Sequence, residues 1–92
     1  MRIVGTGSAL PEKVVYNDDL SKIMDTSDEW IQSRTGIRSR HLVTTETTTG
    51  MSVEAAKKAL QAAGMEAGEL DLIICATLSS DRIIPTLACE VQ

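Results

Sequence analysis

The feature that most constrains this chain is an unbroken apolar run in its last third. Residues 72–76 read Leu-Ile-Ile-Cys-Ala, within a segment, Leu70–Thr77, whose length suits a single strand. A continuous apolar run of this length, rather than an alternating one, is typical of a strand buried on both faces of a sheet. Such strands belong to parallel sheets covered by helices. The run therefore predicts an α/β protein.

The rest of the chain supplies helices for such a sheet but few strands. Arg2–Gly5 reads as a strand that enters a glycine turn, and Ser52–Ala63 is the clearest helix because its apolar residues recur at helical spacing. Pro85 stands at a favoured first helical position, and the helix is expected to continue over Thr86–Gln92. A buried parallel strand needs a neighbour on each edge, and at most one is available. We therefore expect the 92 residues to be an incomplete domain.

Further short elements are predicted between these segments. Asn17 or Asp18 can cap a helix over Asp19–Met24, and Thr44–Thr49 reads as a polar loop.

A capping box marks the next helix. Thr26 supplies the hydroxyl and Glu29 the carboxylate three residues later, so a helix is expected over about Ser27–Arg34. Gly36 is its expected left-handed stop.

Trp30 and Arg34 lie four residues apart and therefore share one face of this helix. An indole and a guanidinium held in this way can sandwich a flat aromatic ligand such as a nucleotide base. The alternative is a tryptophan packed in the core beside an arginine in a surface ion pair, and spacing alone favours that alternative. Arg34, Arg38 and Arg40 also form a basic cluster, which suits a phosphate or an acidic partner protein unless it is a solvated loop.

Composition excludes several classes of function. The net charge of −4 argues against a general nucleic-acid binder. No stretch approaches the 18 consecutive apolar residues of a membrane span, and the chain opens without the apolar region of a signal peptide. We therefore expect a cytoplasmic location. Two cysteines and one histidine do not make a metal site, and Cys75 and Cys89 are expected as buried free thiols used for packing.

The Gly5-Thr6-Gly7 segment follows a predicted strand, as a dinucleotide-binding fingerprint would. The third glycine is missing, because position 10 is leucine, and Pro11 blocks the helix that would hold a pyrophosphate. The segment is therefore interpreted as a structural turn.

Longer blocks of sequence resemble a known family. They read Gly-Thr-Gly-Ser-Ala-Leu-Pro-Glu at 5–12, Asp-Thr-Ser-Asp-Glu-Trp-Ile at 25–31, Arg-Thr-Gly-Ile-Arg at 34–38, and Ile-Ile-Cys-Ala-Thr at 73–77 followed by Pro-Thr-Leu-Ala-Cys at 85–89. In this order they resemble the N-terminus of β-ketoacyl-acyl-carrier-protein synthase III. The resemblance covers essentially the whole chain.

This resemblance implies a thiolase-like fold with five α/β/α/β/α layers, of which residues 1–92 would be the N-terminal portion, in a homodimeric enzyme. It implies an acyltransferase that starts type II fatty-acid synthesis. An acyl-CoA, commonly acetyl-CoA, acylates a cysteine, and malonyl-acyl-carrier protein then decarboxylates and attacks the thioester. Acyl-CoA is a substrate, so no cofactor is expected. The alternatives are a related enzyme of polyketide or quinolone synthesis and a free-standing binding module.

The resemblance also carries over residue by residue. It implies that Thr26, Trp30 and Arg34 contact the adenine nucleotide of coenzyme A. The family's cysteine, histidine and asparagine would lie beyond Gln92, so no catalytic residue is expected within the chain. Ile84 corresponds to a residue that reaches the partner subunit's acyl pocket in relatives.

Overall fold

The computed structural model describes all 92 residues, and these divide into two compact units. One unit is Pro11–Thr45. The other combines Met1–Leu10 with Glu46–Gln92.

The Pro11–Thr45 unit contains a two-stranded antiparallel sheet. Strand β1 (Lys13–Tyr16) pairs with β2 (Ser39–Leu42), with Val14 opposite His41. The sheet is the only one in the chain, so the expected parallel sheet is not formed by these 92 residues. Both strands are largely exposed and mix charged with apolar residues, which is why no apolar pattern marked them in the sequence.

Helix α1 (Asn17–Leu20) follows β1 directly and is shorter than predicted. It begins two residues early because the Asp19 carboxylate accepts a hydrogen bond from the Tyr16 N–H at 3.0 Å, which makes Tyr16 the cap. The predicted caps and the range Asp19–Met24 were therefore wrong. Leu20 is buried and contributes to the small core of this unit.

Helix α2 (Asp28–Thr35) is close to the predicted span, but its cap differs. The Ser27 hydroxyl accepts a hydrogen bond from the Trp30 N–H at 3.2 Å, so Ser27 rather than Thr26 is the N-cap. The helix ends as predicted at Gly36, which has a left-handed φ of 71°. Ile31 is its one buried side chain.

The second unit is built around helix α3 (Thr48–Ala63), which begins four residues before the predicted start. Its first turn is capped twice. The Thr47 hydroxyl accepts from the Gly50 N–H at 3.0 Å, and the Asp81 carboxylate accepts from the N–H groups of Thr48 and Thr49 at 3.1 and 2.7 Å. These acceptors satisfy three free helix donors, so the last two residues of the predicted polar loop are helical.

Close backbone approach explains the glycines near the N-terminus. A Cβ placed on Gly5 would come within 2.6 Å of the Ala59 carbonyl oxygen, and one on Gly7 within 2.5 Å of the Ala59 nitrogen. Only glycine allows this contact with α3. The structural interpretation of this turn is confirmed, whereas the strand predicted over Arg2–Gly5 is absent.

The apolar run at 72–76 also forms no strand. Leu72 and Ile74 are exposed, and Ile73 and Cys75 are half-buried. This alternation has the two-residue period of an extended chain with one packed face, not the double burial that was predicted. The reason is that a strand requires a hydrogen-bonded neighbour, and none of the 92 residues forms one beside this segment.

The chain closes with a 3₁₀ turn at Ala67–Glu69 and helix α4 (Leu87–Val91). Thr86 caps α4 in an extended conformation, so Pro85 lies outside the helix and the predicted start was two residues early. Both cysteines are free, as expected, but Cys75 is half-buried and Cys89 is exposed, which corrects the prediction that both are buried.

Candidate functional site

Helix α2 presents Trp30 and Arg34 together on its exposed side. The Arg34 guanidinium carbon lies over the indole, 5.7 Å from the ring centroid, which is a cation–π distance. Trp30 keeps 56% of its surface exposed. The alternative of a tryptophan packed in the core is therefore wrong, and the two side chains meet as the four-residue spacing predicted.

A recess of about 400 Å³ opens beside the indole. Asp25, Thr26, Ser27 and Trp30 line it. Thr26 is half-buried there, and because Ser27 caps the helix, Thr26 does not have the second role as cap that was expected. The structure thus brings all three predicted site residues to the N-terminal part of α2 and its exposed face.

The separation between the indole and the guanidinium indicates how a flat ligand could enter. A base held between two planar groups needs contact of roughly 3.5 Å on each face, or about 7 Å in all. At 5.7 Å the Arg34 side chain covers one face of the ring too closely for a base to lie between them. A sandwich therefore requires the exposed Arg34 side chain to move away from the indole.

A hydrogen-bond network fixes the first residue of α2. The Asp28 carboxylate accepts from the Gln32 amide at 2.6 Å and from the Asn17 amide at 2.8 Å. The bond from Gln32, then that from Asn17, and the charge of Arg38 hold the pKa of Asp28 below its usual range, against the opposing effect of burial. Asp28 is therefore a carboxylate at neutral pH.

Sequence reasoning missed Asn17, which is 1% exposed and is the chain's most deeply buried polar side chain. Besides Asp28, its amide N–H₂ donates to the Ile37 carbonyl oxygen at 2.7 Å. An asparagine before two aspartates reads as a helix cap, and the sequence carries no signal for partners 11 and 20 residues away.

The other residues singled out in the sequence are solvent-exposed. Arg38 and Arg40 lie in or next to β2, where Arg40 pairs with Val15. Ile84 is exposed in the segment between the apolar run and α4. The predicted contacts of the two arginines with a phosphate or an acidic partner protein, and of Ile84 with a partner subunit, stay predictions.

A second recess, of about 890 Å³, lies within the other unit. Its lining includes Val53, Leu60, Leu72 and Val91 and is mostly apolar. No three metal-ligating side chains gather anywhere in the chain. No helix combines the length and the apolar character needed to cross a membrane.

Comparison with known proteins gives a consistent result. No family profile matches the chain. A β-ketoacyl-[acyl-carrier-protein] synthase III of Xanthomonas campestris is 58% identical over 92 residues, which cover 99% of this chain and 28% of that protein. The 3-oxoacyl-[acyl-carrier-protein] synthase III structure of Aquifex aeolicus superposes with a TM-score of 0.92 at 52% identity, covering 98% of this chain and 29% of its own.

The resemblance to synthase III is confirmed. A priming β-ketosynthase of a polyketide pathway is also similar, with a TM-score of 0.89 at 36% identity, covering 98% of this chain and 27% of that one. The predicted fold class, α/β and part of a thiolase-like fold, is confirmed by these superpositions. The chain spans 28% of the length of the curated Xanthomonas campestris synthase III relatives that it matches.

Proposed function

We propose that this chain is the N-terminal portion of a condensing enzyme that starts type II fatty-acid synthesis, and that α2 supplies its coenzyme A entrance. One observation carries the proposal. The chain matches synthase III relatives at 58% identity, and within it an exposed indole and a guanidinium meet beside Thr26. An exposed indole beside a guanidinium suits the stacking of an adenine base.

The reaction proposed for the whole enzyme has two stages. An acyl-CoA, with acetyl-CoA as the first candidate, transfers its acyl group to a cysteine and releases coenzyme A. Malonyl-acyl-carrier protein then loses CO₂, and the resulting carbanion attacks the acyl-cysteine thioester to give a 3-oxoacyl-carrier protein. The cysteine, and the histidine and asparagine that assist decarboxylation, would lie beyond Gln92. The enzyme would be a cytoplasmic homodimer without a resident cofactor.

Within that reaction the chain's own residues would bind and orient the coenzyme. The adenine would stack on Trp30, Arg34 would close over its other face, and Thr26 would hydrogen-bond the nucleotide from the wall of the recess. Such contacts are the same in the ground state and the transition state, so they lower KM for acyl-CoA without changing kcat.

A chimera tests the proposal directly. In it, residues 1–92 of this chain replace the matching segment of the Xanthomonas campestris synthase III, and the chimera is assayed with acetyl-CoA and malonyl-acyl-carrier protein. We expect release of CO₂ and formation of a 3-oxoacyl-carrier protein, both dependent on acetyl-CoA. The Xanthomonas enzyme is the positive control. A chimera that melts cooperatively yet forms no product would refute the proposal.

The second candidate function is the priming step of a polyketide pathway. It is supported by the similarity to the polyketide priming β-ketosynthase, which at 36% identity is weaker than the 52% and 58% identities to synthase III. A panel of acyl-CoA primers of increasing length separates the two. We expect acetyl-CoA to be preferred, and a preference for longer primers would favour the second candidate.

A further inference from the structure

We propose that Asn17 is a positioning residue for the coenzyme A site, acting through both ends of α2 rather than by touching the ligand. The inference rests on the proposed function. It adds a residue that lies outside the predicted contacts at Thr26, Trp30 and Arg34.

The Asn17 side-chain amide connects the first residue of α2 with the residue that follows the glycine at its C-terminal end. One N–H bonds the carboxylate of Asp28, the first residue of the helix, at 2.8 Å. The other bonds the carbonyl of Ile37, directly after the Gly36 stop, at 2.7 Å. The Asn17 main-chain N–H also donates to the Arg38 carbonyl at 3.2 Å. A single residue therefore holds both ends of the helix that carries Trp30 and Arg34.

Helix α2 needs such a restraint. It has eight residues, and isolated helices shorter than roughly 12 residues are marginal in water. Within these 92 residues, Ile31 is its one buried side chain. Without the amide bridge, the ends of α2 would keep mainly local hydrogen bonds, from the Trp30 N–H to the Ser27 hydroxyl and from the Gly36 N–H to the Gln32 carbonyl, and the exposed indole would lose its fixed direction.

The orientation of the amide is determined by its partners. Both groups that face its nitrogen, a carboxylate and a carbonyl, are acceptors, so the N–H₂ must point toward them. The amide oxygen is then buried without a hydrogen-bond partner. An apolar residue at position 17 could not bridge the two ends of α2, because it has no N–H groups to donate.

The test measures KM and kcat of the chimera with acetyl-CoA for three variants. Asn17→Ala removes the bridge, and Asn17→Asp replaces its donors with a carboxylate that faces the Asp28 carboxylate. Leu20→Ala is the matched control, because it removes a buried side chain from α1 and leaves the Asn17 donors to Asp28 and Ile37 in place. We expect both Asn17 variants to raise KM for acetyl-CoA roughly tenfold, because a displaced Trp30 and Arg34 would bind the nucleotide poorly. We expect kcat to be unchanged, because the reacting groups lie in the other part of the chimera.

A purely structural role gives a different result. Partial unfolding lowers the active fraction, so it reduces apparent kcat and leaves KM unchanged, which is what we expect of Leu20→Ala. The same pattern in Asn17→Ala would overturn the inference and leave the proposed function intact. If Trp30→Ala also leaves KM unchanged, the proposed nucleotide site itself is wrong.

A reversed pair provides the decisive variant, including the case in which Asn17→Ala does not fold. Asn17→Asp combined with Asp28→Asn restores the hydrogen bond between positions 17 and 28 with donor and acceptor exchanged, while the hydrogen bond to the Ile37 carbonyl stays lost. The amide oxygen introduced at position 28 can still accept from Gln32. We expect the double variant to recover part of the lost KM relative to Asn17→Asp. A double variant no better than the single one would overturn the inference.

Discussion

Replacing Trp30 with alanine should separate binding from stability. Base–aromatic stacking is worth about 1–3 kcal/mol per base, so the chimera should bind acyl-CoA roughly 5- to 150-fold more weakly. Less than half of Trp30 is covered, which is about 100 Å² of its surface. At 25 cal/mol per Å², burial of that area stabilises the fold by at most ~2.5 kcal/mol. The higher helix propensity of alanine offsets about 0.5 kcal/mol of this loss. We therefore expect a loss of about 1–2 kcal/mol in the free energy of unfolding.

The neighbouring residue provides the matched control. Ile31 is 6% exposed, so Ile31→Ala should cost about 2–5 kcal/mol of unfolding free energy, more than Trp30→Ala. Urea denaturation measures the stability of each variant, and initial rates against acetyl-CoA concentration measure KM. We expect Trp30→Ala to raise KM with kcat unchanged, at a temperature where both variants are folded. An unchanged KM in Trp30→Ala would show that the indole does not bind the coenzyme.

Two further predictions concern the unit built on α3. Gly7→Ala should lower the free energy of unfolding by about 1–3 kcal/mol, because its Cβ would press on the backbone of α3. Gly68→Ala is the control, because the space around Gly68 is open, and it should change that free energy by less than ~0.5 kcal/mol. Urea denaturation measures both variants. Hydrogen bonds from Thr49, and then Thr48, hold the pKa of Asp81 below its ordinary value. Its contribution to stability is therefore full above the unfolded pKa of about 3.9 and is lost as the pH falls through the lower folded value. Thermal melts from neutral to acidic pH should show Asp81→Asn less stable than the parent at pH 7 and equal to it in strong acid.

The parts of the fold that could be read from the sequence are those with local causes. The ends of α2 and α3 are set by Gly36 and Gly64, both left-handed, and a glycine after a helical pattern predicts such a stop. The start of α3 was placed too late, although Thr47 supplies a local cap, and the second acceptor for its first donors, Asp81, is more than 30 residues away. No local pattern announces a cap of that kind.

Strands were harder to predict because they depend on partners. The apolar run at 72–76 has the composition of a buried strand, but its outward residues are exposed where no neighbouring strand pairs with it. The strands that do form, β1 and β2, bring Lys13 opposite Leu42 across 29 positions of sequence. Their mixed composition gave no indication of pairing.

The candidate site likewise combines features set by neighbouring residues with features set by residues distant in sequence. Trp30 and Arg34 were brought together by a four-residue helical spacing, which sequence alone reveals, although the exposure of the indole required the structure. Asn17 was misread as a cap because its two side-chain partners are distant in sequence. The four-residue spacing therefore predicted that Trp30 and Arg34 meet, and the residue that joins the two ends of their helix became visible only in three dimensions.

Trp30 is the chain's only tryptophan, so its fluorescence reports directly on the central claim that this indole binds the coenzyme A nucleotide. The measurement is a titration of the 92-residue chain with adenosine 3′,5′-bisphosphate, the nucleotide part of coenzyme A without the pantetheine arm, followed by tryptophan emission. The account predicts saturable quenching that coenzyme A reproduces and pantetheine does not. Emission that stays constant throughout the titration, while the chain remains folded by circular dichroism, would contradict it.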